Sequence, residues 1–571
     1  MQKEEINLKN LDLPEKVKEE FKFYPELLGQ LLFSRGIETR EEAEKFLRPD
    51  YYRDIHDPFL MKDMDKVVDR ILRAIRTNEK ILIYSDYDAD GIPGAVVLYD
   101  FFKKINFENF ENYIPHRHDE GYGLNIEAVE KFVEQNFNLI ITIDCGIKDI
   151  KEIELAQKNN IDVIVTDHHI VGEILPPAYA ILNPKQNDCN YPDKNLAGAG
   201  VVFKLVQALI KKGNFEIREG WEKWLVDMVG LATISDMVSL KGENRVYSYF
   251  GLQVLRKSPR HGLVHLLREI KVDQKNLNED DIAFMITPRI NAASRMGEPI
   301  RAFELLSARD IETAGSLAKH LDEINKERKT LVSTIVKEAN KKLKERNLSD
   351  VIVVGSPKWN PGVSGLVASS LVEKHQRTCF VWGRGGDGEI KGSCRSCGII
   401  DVVELMNAVE DGIFVNIGGH KMAGGFSILN DNIHLLEEKL NKAHGVVDKT
   451  QEKTEIFVDK KISLDDVNWN TYKIIEQMAP FGVDNQKPTF LIEDVEIFNV
   501  KIFGKQNNHL GIDFKNSRGQ NISAIKFFAD EIENGETAFK RGDKISLIVN
   551  LEKSTFRNVN ELRLRIVDFV Q

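Results

Sequence analysis

Five aspartates and two histidines stand where short apolar runs end. Ile81-Leu82-Ile83-Tyr84-Ser85 leads into Asp86-Tyr87-Asp88-Ala89-Asp90-Gly91, Leu139-Ile140-Ile141-Thr142-Ile143 into Asp144, and Val163-Ile164-Val165-Thr166 into Asp167-His168-His169. Short β-branched runs separated by helical patterns predict buried parallel strands. In open α/β sheets ligands collect at the carboxyl ends of the strands, so these side chains are expected to converge on one cleft. That many ionised carboxylates cannot share a site unless cations neutralise them. The chemistry to expect is that of a divalent metal. Aspartate oxygens suit Mg²⁺ or Mn²⁺, and added imidazole shifts the preference towards Mn²⁺.

Each motif alone is weak. The Asp86–Gly91 run could open an EF-hand, but the twelfth position from Asp86 is Val97 rather than glutamate. A paired histidine can cap a helix or fill a core. Asp236 follows the apolar stretch Leu231-Ala232-Thr233-Ile234-Ser235 and would not be chosen on pattern alone.

The elements that must position these residues follow from size and periodicity. A chain of 571 residues exceeds one hydrophobic core, so three or more domains are expected. With 42% hydrophobic and 29% charged residues it reads as globular rather than disordered. The expected fold class is α/β: a parallel-sheet catalytic domain at 76–306, preceded by a helical extension at 1–75. A long connecting helix follows at 307–345, with apolar positions Leu317, Leu321, Ile324, Leu331, Ile335, Ala339 and Leu343 at helical spacing. A second α/β domain at 346–447 opens with Val351-Ile352-Val353-Val354 and holds Gly418-Gly419-His420. Residues 455–571 carry five short strand patterns, suiting an OB-type β-barrel.

A net charge of −11 cuts against a protein that coats duplex DNA, though a basic groove can coexist with an acidic exterior. Five cysteines, an odd number, argue for a reducing compartment. The start Met1-Gln2-Lys3-Glu4-Glu5 lacks a signal-peptide core and no apolar run is long enough to span a bilayer, so a cytoplasmic address is expected.

Taken together, Asp-Tyr-Asp-Ala-Asp-Gly, Ile-Asp-Cys-Gly and Thr-Asp-His-His, in that order, resemble the DHH phosphoesterase superfamily. Pro288-Arg289-Ile290-Asn291-Ala292-Ala293-Ser294-Arg295-Met296-Gly297, Trp359-Asn360-Pro361-Gly362-Val363 and Gly418-Gly419-His420 narrow the resemblance to its bacterial single-strand-specific exonucleases, from about Leu32 onward. This implies a DHH catalytic domain, a DHHA1-like second domain and a nucleic-acid-binding barrel. It further implies two ions, Mn²⁺ or Mg²⁺, held by Asp86, Asp88, Asp90, Asp144, His168 and Asp236, with Asp144 bridging. His169 would face the scissile phosphate and Asp167 would orient a histidine. Two ions about 4 Å apart can clamp a phosphodiester and stabilise both apical oxygens.

The same resemblance assigns substrate contacts. Arg117 would hold a phosphate and Tyr122 stack on a base, Arg295 would join them, and Ser393 and Arg395 would grip a 5′-phosphate, with His420 near phosphate across the cleft. Lys501, Phe503, Lys505, Phe556 and Arg557 are candidate contacts in the barrel. Cys394 and Cys397 depart from the family pattern. With no second ligand pair visible they are expected to be structural thiols. The implied function is 5′→3′ exonuclease action on single-stranded DNA, releasing 5′-mononucleotides in recombination and repair. The implied partners are single-stranded DNA, a helicase and a single-strand-binding protein, acting with a monomer and without a membrane. The rivals are a phosphodiesterase for short oligonucleotides or cyclic dinucleotides, and a non-catalytic DNA-binding scaffold.

Overall fold

The apolar runs form strands because their residues are buried on both faces. In a computed structural model that describes residues 5–8, 12–385, 388–410, 412–449, 455–504, 507–529, 531–533, 536–554 and 560–570, the first sheet has five strands. They are β1 (Ile81–Ser85), β2 (Phe110–Tyr113), β3 (Leu139–Ile143), β4 (Asp162–Thr166) and β5 (Ala180–Leu182). All pair in parallel, in the order β2-β1-β3-β4-β5. Every position of β1 and β3 is buried. Sequence pattern missed β2 and β5, one a half-exposed edge strand and the other three residues long. The strand order reverses between β1 and β3, the switch point at which open sheets of this kind leave a crevice.

Helices cover this sheet. Those that matter for the site are α1 (Gly91–Lys104), α2 (Gly198–Gly213), α3 (Val226–Ser235) and α4 (Thr287–Arg295). Then comes α5 (Ile311–Lys344), capped by Asp310, whose side chain accepts from the Thr313 N–H. Its N-terminal half buries Leu317, Leu321 and Ile324 and packs on α4 and its helical neighbours. Its C-terminal half places Ile335, Ala339 and Leu343 in a core with Ile352, Val354, Val363 and Val367 of the next domain. The helix is thus a shared core element as well as a bridge.

The second sheet comprises β6 (Val351–Gly355), β7 (Thr378–Arg384), β8 (Ile390–Arg395), β9 (Phe414–His420) and β10 (Ala423–Ile428), ordered β9-β10-β8-β7-β6. Only β6 and β7 are parallel. Helix α6 (Ser364–His375) packs on it.

The C-terminal barrel has β11 (Phe490–Phe503), β12 (His509–Lys515), β13 (Asn521–Phe527), β14 (Lys544–Ser554) and β15 (Glu561–Val570). The order β11-β12-β13-β15-β14 closes because β14 pairs back onto β11. Two strands expected at Thr489–Ile492 and Val495–Ile497 are one continuous strand with register shifts after Ile492 and after Ile497. Such irregularities bend a strand enough to serve both sides of a small barrel. Lys505, Phe556 and Arg557 lie outside the described residues.

One expected boundary is corrected. Residues 1–75 do not all extend the catalytic domain: the chain divides into one unit of Ile55–Val238 and Gly242–Glu452, and another of Met1–Asp54, Ser239–Lys241 and Lys453–Gln571. The physical reason is a shared core. Val17, Phe21, Leu28, Leu31, Leu32, Ala43 and Leu47 pack with Phe490, Ile492, Ile497, Leu510 and Ile512 of the barrel. Arg35 adds bonds to the Asn485 side chain (3.1 Å) and the Gln486 carbonyl (2.8 Å). The helix Met64–Thr77 stays with the catalytic sheet, where Arg70 donates to Asp162 at 2.5 Å.

Candidate metal centre

The strand ends present their acids in a row. The N–H of Asp86 donates to the Ile143 carbonyl (3.0 Å), that of Asp144 to Thr166 (2.9 Å) and that of Asp167 to Leu182 (3.0 Å). Each acid therefore sits one residue past the last pair of the ladder. Asp144 takes a left-handed backbone, φ 61°, a conformation that aspartate tolerates better than most residues. Asp88 turns back to accept from the N–H groups of Asp90 (2.8 Å) and Gly91 (3.1 Å) at the start of α1. Asp90 accepts from Gly198 (2.6 Å) and Ala199 (2.8 Å) at the start of α2, where free N–H groups favour a carboxylate. Helix α2 can come this close only because Gly198 lacks a side chain: a Cβ there would lie 2.8 Å from the Asp144 Cβ. Asp236 caps the C-terminus of α3 and is followed by Met237 at φ 60°.

These placements bring all six expected metal ligands together. Asp86, Asp88 and Asp144 form one group whose ligand atoms lie within 4.8 Å of one another, and Asp90, His168 and Asp236 form a second. His168 Nε2 is 3.1 Å from Asp144 Oδ1 and 3.7 Å from both Asp90 Oδ2 and Asp236 Oδ2, so Asp144 stands between the groups. The residues fit a divalent cation on chemical grounds. Asp86 Oδ1, Asp144 Oδ1 and both His168 ring nitrogens are buried without a well-aligned hydrogen-bond partner, a costly state for polar atoms.

The protonation states tell the same story. Burial, reinforced by Asp88, lifts Asp86 well above the usual carboxylate range, and burial with Asp90 and Asp88 does the same to Asp144. Burial and Asp88 push Asp90 up to about 7, against the pull of the α2 N–H groups. Asp236 rises to about 9 through burial and Asp90. Burial and the neighbouring His169 drive His168 down to about 3, leaving a neutral imidazole suited to bind metal.

His169 belongs to a different arrangement. Its Nδ1 lies 2.8 Å from Asp167 Oδ1 and 3.1 Å from the Tyr122 hydroxyl. Nδ1 is thereby taken, although His169 also lies within ligand range of Asp144 and His168. Asp167 accepts in addition from the N–H groups of His168 (2.7 Å), His169 (3.0 Å) and Ile147 (3.0 Å). Burial opposes its charge, but the His169 bonds hold it below the ordinary carboxylate value. Burial pulls His169 down, yet the bond to Asp167 prevails and raises it.

The expected substrate residues fall into two places. Arg117 lies over the Tyr87 ring at 4.8 Å. Arg295, the last residue of α4, donates to the Gly362 carbonyl at 3.2 Å. Burial and the charges of Arg117, Arg328 and Arg395 lower Arg295 to about 9, which marks a shared basic patch. Arg395 ends β8, and a Cβ on Gly365 of α6 would lie 2.8 Å from its guanidinium, so that glycine makes room for it. Ser393 shares the Arg395 face of β8, two residues back, whereas Cys394 points into the opposite core. His420 sits in the β9–β10 hairpin, lowered by burial and by the charge of His169.

No described cysteine belongs to a metal-binding group. Cys394 is pushed up to about 12 by burial, and Cys397 instead lies 3.6 Å from the Thr378 hydroxyl. Cys394 lies within β8 and faces the core, whereas Cys397 lies past the end of that strand.

Sequence reasoning missed several contributors. Asn291 accepts from the Ala89 N–H at 3.0 Å and so braces the Asp88–Asp90 turn from α4. Its only signal was its place among residues 288–297. Lys185 is lowered by burial while Asp236 and Asp167 pull it upward, placing a cation beside the acids. The Tyr122 hydroxyl, expected only to accompany a stacking ring, also donates to the Asp144 carbonyl at 2.9 Å.

Comparison with known proteins agrees with this architecture. The DHH family N-terminal domain matches residues 80–233, the DHHA1 domain residues 348–453 and the RecJ OB domain residues 458–568. The single-stranded-DNA-specific exonuclease RecJ of Bacillus subtilis is 35% identical over 548 residues, 95% of this chain and 67% of that protein. The Escherichia coli protein of the same name is 31% identical over 82% of this chain and 83% of its own length. Among solved structures, RecJ of Thermus thermophilus in complex with Mn²⁺ superposes with a TM-score of 0.80 at 25% identity, covering 99% of this chain and 79% of that one. Exonuclease RecJ bound to manganese gives 0.60 at 30% identity over 68% of this chain and 95% of that one. The chain belongs to the RecJ family, with the DHH, DHHA1 and RecJ OB domains in that order.

Proposed function

We propose that the protein is a metal-dependent exonuclease that degrades single-stranded DNA from its 5′ end to 5′-mononucleotides, in recombination and repair. The observation that carries this reading is the convergence of Asp86, Asp88, Asp90, Asp144, Asp236 and His168, with buried ligand atoms left unpaired. We read the two groups as holding two ions, Mn²⁺ or Mg²⁺, with Asp144 shared between them. Bound divalent cations supply a nucleophile at neutral pH and neutralise charge on the phosphodiester.

The chain's own residues do the rest. Asp90 and Asp88 are fixed by backbone N–H groups, so their carboxylates are aimed before substrate arrives. Asp167 holds His169 through Nδ1, which leaves Nε2 as the nitrogen that would meet the scissile phosphate or the leaving oxygen. The guanidinium groups of Arg117, Arg295 and Arg395 give a basic counterpart, and a guanidinium fork suits a terminal phosphate. Ser393 adds a hydroxyl beside Arg395. A 5′-phosphate gripped there would set the cleavage step at a fixed distance from the metal centre.

The same reading makes single-stranded DNA the partner of the barrel, with a helicase and a single-strand-binding protein as further partners of a cytoplasmic monomer. Among the described residues no helix is long and apolar enough to cross a membrane. The scaffold alternative is disfavoured because every ligand position is filled. The short-oligonucleotide alternative is disfavoured by the barrel, which a dinucleotide hydrolase has no use for. A time course on one strand labelled at its 5′ end and another labelled at its 3′ end tests the proposal. Immediate mononucleotide release from the 5′ label, with the 3′ label released last, is expected. Early release from the 3′ label, or cleavage of dinucleotides alone, would reject it.

A further inference from the structure

We propose that Tyr122 is a positioning residue for His169: its hydroxyl, seated between the Asp144 carbonyl and the imidazole, keeps the proton on Nδ1 and fixes the plane of the ring. The proposal deepens the hydrolase reading and rests on it. It follows from counting protons. A tyrosine hydroxyl has one, and the Asp144 carbonyl 2.9 Å away can only accept it. The 3.1 Å contact with His169 Nδ1 then needs its proton on the nitrogen, with the phenol oxygen as acceptor. Asp167 Oδ1, 2.8 Å from the same nitrogen, is also an acceptor. One N–H thus faces two acceptors from two separate loops, and Nε2 is left as the nitrogen that neither of them engages.

Asp167 alone would do less. A single hydrogen bond fixes a point and leaves the ring free to pivot about it, and Asp167 Oδ1 is already shared with two backbone N–H groups. A second acceptor on another element defines the plane. Tyr122 can serve because its own loop is held firmly. The buried Tyr84 hydroxyl donates to the Gly123 carbonyl at 2.7 Å, and the Leu124 N–H donates to Asp149 Oδ2 at 2.7 Å. Gly123, at φ 82°, brings its backbone so near Asp149 that a Cβ would stand 2.7 Å from the carboxylate. The Tyr122 and His169 rings meet edge-on, 5.6 Å apart at 68°, which leaves a face of the half-exposed tyrosine open. The hydroxyl and the ring can therefore have separate tasks.

Tyr122→Phe separates them, because it removes the hydroxyl and keeps the ring. In the whole 571-residue chain with Mg²⁺, this variant is expected to lower kcat on a 5′-phosphorylated single strand about 10- to 100-fold, the usual cost of removing an outer partner at a metal centre. KM and metal affinity should stay unchanged. Selective ¹⁵N-histidine labelling, with His169→Gln to identify the resonances, should show a protonated Nδ1 in the parent and a mixture of tautomers in Tyr122→Phe. A phenylalanine variant with full kcat, or one altered only in KM, overturns the proposal and leaves Tyr122 as a stacking residue. An unchanged His169 tautomer overturns it whatever the rate does. A parent protein that releases no nucleotide refutes the hydrolase reading, while the resonances still decide the claim about Tyr122.

Discussion

At the scale of residues, the acids carry two testable consequences. Asp144 stands between both ligand groups, so Asp144→Ala should abolish Mn²⁺-dependent hydrolysis while leaving the far-ultraviolet circular dichroism of the protein intact; full turnover would remove it from the centre. The second consequence concerns pH. Asp90 at about 7 and Asp236 at about 9 both lie above their unfolded value near 4. The metal-free fold binds those protons more tightly than the unfolded chain does. Their contribution to stability is therefore complete at low pH and is lost as pH climbs through 7 and then 9, by up to about 1.4 kcal/mol per unit for each group. The metal-free protein should melt lower at about pH 8.5 than at about pH 6, and saturating Mg²⁺ should raise the melting temperature more at the higher pH. An equal metal effect at both would mean that the cluster is neutralised another way. The acids at strand ends were legible because an apolar run ending in a carboxylate is a local pattern. Asn291, Lys185 and the Tyr122 hydroxyl were not, since each acts through a partner between 22 and 202 residues away in the chain or through charge alone.

At the scale of elements, close approach of helix to sheet decides the geometry. Gly198→Ala should leave the fold in place and weaken metal binding about 10- to 100-fold, because the added methyl would meet Asp144 and tilt α2 away from Asp90. Unchanged Mn²⁺ affinity in a calorimetric titration would show that the helix can give way. In the barrel, His509 gathers the rings of Phe503, Phe527 and Phe528 at 5.3, 5.1 and 5.0 Å, and Arg565 lies 4.1 Å over Phe527. Phe528 is 73% exposed on a left-handed backbone, φ 54°, an unfavourable posture for an aromatic residue with no core to fill. If the barrel holds single strands by stacking, Phe528→Ala should cost about 1–3 kcal/mol of affinity in a binding titration with a labelled oligonucleotide. Equal affinity would move the contact elsewhere. Buried strands β1 and β3 were readable because burial on both faces makes them continuously apolar. The bent β11 was not, because register shifts interrupt its alternation and split it into two apparent strands.

At the scale of the whole molecule, the chain's two ends build one unit. Leu28, Leu31 and Leu32 are fully buried in the same core as Phe490, Leu510 and Phe514 of the barrel. Removing residues 1–54 should therefore leave the barrel unable to fold, and Leu32→Ala should destabilise this unit by about 2–5 kcal/mol. A chemical-denaturation curve in which the truncated chain keeps a cooperative transition for the barrel would contradict that account. The pairing of Glu5–Leu8 with Glu455–Val458 likewise joins the two ends of the chain. None of this was readable from periodicity: amphipathic helices at the N-terminus declare that they have a buried face, but not which surface covers it. The order of the domains was readable, because a switch from alternating strands and helices to short strands alone marks the change of architecture.

Manganese binding to the purified, metal-stripped protein tests the central claim most directly. Calorimetric titration, with electron paramagnetic resonance to detect coupling between neighbouring ions, should find two Mn²⁺ per chain that interact magnetically, and Asp144→Asn should abolish the coupling. Binding of no ion at millimolar manganese, or two sites without coupling that ignore the substitution, would contradict the convergence of these carboxylates and imidazoles on a shared metal centre.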